Sequence, residues 1–142
     1  MGTWDIGPFH NDTAADFSGR LDRAGLAERP GLLRSALARA LAAGGYLEID
    51  EAQEAVAAAA LVAAQRPGGE PIDPAYAPRA AIPVLGAEFG VLALRALERV
   101  AGPGSELAEL WADSGEEDRW RQRLAGLRAV LDGTVSMDRD GC

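Results

Sequence analysis

His10, Asn11, Asp12 and Asp16 are the residues whose types and spacing come nearest to a reactive set. Asp12 and Asp16 are four apart, so a helix would put both carboxylates on one face. Gathered carboxylates bind divalent cations, and one of them can be tuned into a general base. The same residues also have a plain structural reading. Asn11, Asp12 and Thr13 are all helix N-cap types, and Thr13 with Asp16 has the spacing of a capping box, Asp replacing the stronger Glu or Gln. On that reading Asp16 completes a first turn and His10 is a surface residue. The structural reading is preferred.

Other clusters are weaker. Glu48, Asp50, Glu51 and Glu54 form an acidic patch at a helix start, where negative charge is favourable without any ligand. Glu51 and Glu54 are placed to pair with Arg34 or Arg39. Glu70, Asp73 and Tyr76 lie in a loop, a place where function concentrates, but their spacing matches no known reaction. Arg119, Arg121 and Arg123 follow acidic residues directly and read as a solvated face rather than an anion site. One histidine and a single cysteine, Cys142, leave little for a Ser-His-Asp or Cys-His nucleophile set. No phosphate loop, dinucleotide fingerprint or paired-histidine metal motif occurs.

The element that must position all of these is Glu51–Gln65. From Ala55 to Ala64 it is apolar on every side and mostly alanine, the best helix former. A helix apolar all round is buried on most of its circumference, and this one falls well short of the roughly 20 residues that cross a bilayer. It is expected to be the central rod of a helical domain. A first helix is predicted from Thr13 to about Ala24, with Ala14, Phe17, Leu21 and Ala24 inward. A second runs from Pro30 to Ala43, with Leu33, Ala36, Leu37, Ala40 and Leu41 inward. Asp50 is expected to cap the rod.

Five prolines and Gly68-Gly69 make residues 67–83 a non-helical connection, read as a fixed loop packed by Ile72 and Tyr76. A fourth helix spans Val84–Ala101 with Leu85, Phe89, Leu92, Ala96 and Val100 on one face. Gly86 and Gly90 are expected to mark a close crossing against the rod. Ser105 caps a short helix carrying Leu107, Leu110 and Trp111. Ser114 with Glu117 makes a capping box for the last helix, whose apolar row is Trp120, Leu124, Leu127 and Leu131.

A chain of 142 residues with 48% apolar content supports one domain with a real core. Residues 1–132 are read as that domain, residues 1–10 as an extended arm and residues 133–142 as a fraying tail. The net charge is −8, spread evenly over both halves. That balance argues against a phosphate backbone as partner and suits a basic protein. Lysine is absent while Ala, Gly and Pro abound, the coding bias of a GC-rich bacterial genome. No charged apolar leader and no membrane span stand out, so the chain reads as cytoplasmic.

The head of the chain carries Met1, Gly2, Trp4, Gly7, Phe9, Asn11, Asp12, Ala14 and Asp16. It resembles a bacterial family of small domains of unknown function, family 4259, whose members open with Met-Gly-x-Trp-Gly-x-Gly-x-Phe-x-Asn-Asp-x-Ala-x-Asp. A weaker likeness continues through Tyr46-Leu47-Glu48, the alanine rod, Pro-Gly-Gly-Glu-Pro and Leu107–Trp111. Asp5 departs from the pattern, standing where the family has glycine. The resemblance supports the fold and implies no activity.

The sequence therefore predicts an all-α bundle of five or six helices around a buried alanine-rich helix, with a non-helical N-terminal arm packed on it. The leading functional expectation is a non-catalytic, immunity-like or regulatory module that binds a basic protein, with no cofactor and no metal site. The alternative is a metal-dependent hydrolase or small-molecule binder using Asp12 and Asp16. Trp4, Phe9, His10, Asn11, Asp12 and Asp16 are the candidate binding residues, and the oligomeric state is left open.

Overall fold

Burying a helix on every side needs neighbours on every side, and the alanine rod has them. In the computed structural model, which describes residues 7–70, 72 and 78–133, six helices follow one another. They are α1 (Asp12–Arg23), α2 (Arg29–Ala42), α3 (Ile49–Ala64), α4 (Ala87–Ala101), α5 (Glu106–Ser114) and α6 (Glu117–Leu131), with a 3-10 turn at Leu26–Glu28. Every other helix touches α3. Ala55 through Ala63 are all buried, and Phe17, Leu33, Leu37, Leu97, Trp120 and Leu124 close over them. No described helix is long and apolar enough to cross a membrane. Trp4, Asp5, Asp73, Tyr76 and the tail from 134 onward lie outside the described residues.

Methyl groups pack the middle of the rod, and polar side chains tether its two ends. At the N-terminal end Glu54, only 16% exposed, pairs with both Arg20 of α1 and Arg39 of α2. Arg34, the other expected partner, instead stacks 4.7 Å from the Phe89 ring centroid and pairs with Glu88. Asp50 does not cap α3. Glu48 holds the cap position, and the Ile49 N–H donates to Glu106 Oε1 at 2.9 Å. Asp50 is occupied by the Thr13 hydroxyl, 3.1 Å away. A single bridge between Leu47 and Ser105 ties the entry of α3 to the entry of α5.

At the C-terminal end Gln65 clamps the returning loop. Its amide nitrogen donates to Pro83 O at 2.9 Å, and its oxygen accepts from Leu85 N–H at 3.0 Å. Arg66 donates to Gly86 O. Farther back, Arg29 reaches Leu21 O, Ala24 O and Ala81 O, while Asp22 accepts from Ala80 N–H. These bonds fix the end of the proline segment to the helices beneath it, and Ile72 packs against the core.

Several boundaries differ from the sequence expectation for local reasons. Asn11, not Thr13, caps α1: its side-chain oxygen accepts from Ala14 N–H at 2.7 Å. Ser114 ends α5 rather than starting α6, donating to Trp111 O, and Glu116 takes the cap position. Val84 lies outside α4, 95% exposed, and Gly86 is the cap. Gly90 is buried, but its nearest neighbours are the Arg66 guanidinium and Leu131 O rather than the rod. In the last helix Val130 is buried while Leu127 and Leu131 are half-buried. The Glu117–Arg121 pair forms as expected, at 2.8 Å.

Three substitutions probe this arrangement. Ala59→Leu should lower stability by roughly 1–3 kcal/mol, because the added carbons enter a closed space. Gly69→Ala should cost at least ~1 kcal/mol, since a Cβ there would overlap the Ala63 carbonyl oxygen. Gly126→Ala meets nothing within 4 Å and should stabilise α6 by about 0.5–1 kcal/mol. Urea unfolding of the three variants measures each value.

Candidate functional site

Three segments distant in sequence converge over the C-terminal half of the rod. The first is residues 7–10, which form a turn with the His10 N–H donating to Gly7 O at 3.0 Å. Gly7 has no side chain because the His10 ring lies against it. Phe9, 3% exposed, plugs the core and holds the turn down. The buried Asn11 links turn to helix, capping α1 and donating to Pro8 O at 3.4 Å.

The second segment leaves α3 through Gly68, whose φ of +84° suits glycine. Gly69 then passes tight against the Ala63 carbonyl. This sharp return places Glu70 and Ile72 beside the arm. The third wall is α6, which presents Gln122, Arg123, Gly126, Leu127 and Val130. Ala60 and Ala63 form the floor, and the cleft so enclosed measures about 440 Å³. That volume and its mostly apolar lining match sites that hold small molecules.

The candidate residues of the carboxylate alternative, His10, Asp12 and Asp16, do not line one common pocket. His10 and Phe9 line the cleft, whereas Asp16 faces a separate depression of about 540 Å³ between α1 and α3. That depression is bridged by protein–protein bonds: Thr13 to Asp50, and Glu54 to Arg20. Asp12 is exposed and lines neither space. Among the described residues no group of three or more His, Cys, Asp or Glu side chains gathers in metal-binding fashion. Trp4 lies outside the described residues. Sequence reasoning missed Gln122, Gly126 and the small residues of the floor. The available signal was a glycine inside an otherwise unbroken helical row.

A charged face lies elsewhere, where the link into α3 meets α5. Tyr46 is 48% exposed, and its hydroxyl donates to Glu109 Oε1 at 2.8 Å. That bond, with the negative field of Glu109, Glu106 and Glu48, pushes the phenol up to about 12 from the ordinary 10.0. Because the folded value lies above the unfolded one, the contribution is intact below pH 10.0 and is lost as pH rises through about 12. Absorbance titration of the native protein should show a phenolate transition near pH 12 that disappears in Tyr46→Phe. A transition near 10 assigned to Tyr46 would contradict the geometry.

Searches of curated proteins and of solved structures returned no match to this chain. The family model described as "Domain of unknown function (DUF4259)" matches residues 2–123, nearly the whole described fold, and the chain belongs to that family.

Proposed function

We propose that this protein is a non-catalytic binding module whose acidic surface docks a basic protein. The observation that carries the reading is Tyr46, an exposed ring among Glu48, Glu106 and Glu109. An arginine or lysine of a partner can lie over the ring face while the carboxylates neutralise its charge. The net charge of −8 adds long-range attraction for a basic surface. Regulation by masking, as in an immunity-like protein, is the form of function that suits such a face.

The metal-dependent alternative rests on Asp12, Asp16 and His10, of which Asp16 lines the depression between α1 and α3 and His10 lines the cleft. It has less geometric support than the acidic face. The small-molecule part of that alternative has more, and it moves from the carboxylates to the cleft.

Affinity capture from the native cell, read by mass spectrometry, tests the docking proposal. Wild type should retain a stoichiometric basic partner whose binding weakens as salt rises. Glu48→Arg combined with Glu109→Arg should weaken it by about tenfold or more. Asp12→Arg with Asp16→Arg changes the net charge equally and should leave it bound. Equal loss in both double variants, or a salt-insensitive partner, would count against the Tyr46 face.

A further inference from the structure

The cleft shares no residue with the Tyr46 face, and one of its walls contains a residue that internal packing does not call for. Gly126 lies inside α6, where glycine is the least favourable residue after proline. A Cβ there would meet no heavy atom within 4 Å, so no helix crossing or backbone contact demands its absence. Its effect is to widen the cleft it lines.

The chemistry along that wall is ordered. Arg123 stands one turn before Gly126, and Leu127 and Val130 continue the row into the cleft. Arg119, Arg121 and Arg128 of the same helix pair with Glu116, Glu117 and Glu98. Arg123 makes no ion pair among the described residues, and Glu70 on the loop wall is not within pairing distance of it. The facing surfaces are apolar at Phe9, Ile72, Ala60 and Ala63, with His10 and Glu70 as their polar members. A polar head is thus provided for at one end, and an apolar body over the glycine gap.

We propose that the cleft binds a straight-chain carboxylic acid lying along α6, its carboxylate at Arg123 and Gln122 and its chain over Gly126 to Val130. From Arg123 to Val130 the helix rises about 10 Å, a length that an octanoate chain spans. The protein's net charge of −8 repels anions at long range. A preference for the acid over a cation of equal chain length must therefore come from the cleft itself.

Titration calorimetry on the full chain with butanoate, hexanoate, octanoate, octan-1-ol and octylammonium tests this. Affinity should rise about fourfold per methylene through octanoate, and octanoate should bind at least tenfold tighter than octylammonium. Arg123→Gln, an exposed position, should weaken octanoate about tenfold and leave octan-1-ol unchanged. Gly126→Leu fills the gap and should abolish binding of both, with circular dichroism and Tm confirming that the variant folds. Absence of binding by every acid at millimolar concentration would overturn the proposal. So would equal affinity for octylammonium, or an octanoate affinity that neither variant moves.

Discussion

Close approach to a thin helix is the constraint on which this structure depends. Alanine buries little area of its own, so the rod contributes less hydrophobic free energy per residue than any leucine-rich helix would. What it contributes is geometry. With one methyl group per position, five helices come near enough for Phe17, Leu33, Leu37, Leu97, Trp120 and Leu124 to fill the space against it. The larger side chains supply most of the burial, and the small ones make it possible. Charged and amide groups are confined to the two ends of α3, where Glu54 holds α1 and α2 in place and Gln65 holds the segment that enters α4.

The same confinement shapes the surfaces available for function. Because Gln65 and Arg66 anchor the segment that enters α4, and Gly68-Gly69 turns the chain sharply off α3, the loop is brought beside the arm. The described motif residues at the head of the chain mostly serve this construction. Gly7 accommodates the His10 ring, Phe9 fills the core, Asn11 caps α1 and Ala14 packs without exposure. Among the described motif residues, Asp12 and Asp16 are the ones left on the surface.

The all-helical architecture was legible because helical periodicity and an all-round apolar run are local signals, as Leu33, Leu37 and Ala55–Ala63 illustrate. Caps were less legible where adjacent residues compete. Asn11, Asp12 and Thr13 are all capable; Asn11 takes the cap position, and Thr13 instead bonds Asp50, 37 positions away in the chain. Asp50 in turn yields the rod's first N–H to Glu106 from α5. Gly90 shows the same limit: a glycine announces a close neighbour without naming it, and here the neighbour is Arg66. The cleft was hidden for a related reason. Its walls come from Gly7 to His10, from Gly68, Glu70 and Ile72, and from α6 between Gln122 and Val130, and only the fold brings them together.

Native-state hydrogen exchange measured residue by residue addresses the central role of the rod most directly. The account predicts that amides of residues 55–63 exchange more slowly than those of any other helix, opening only with global unfolding. If those amides exchanged through local opening, faster than the amides of α2 or α4, the bundle would not be built around α3.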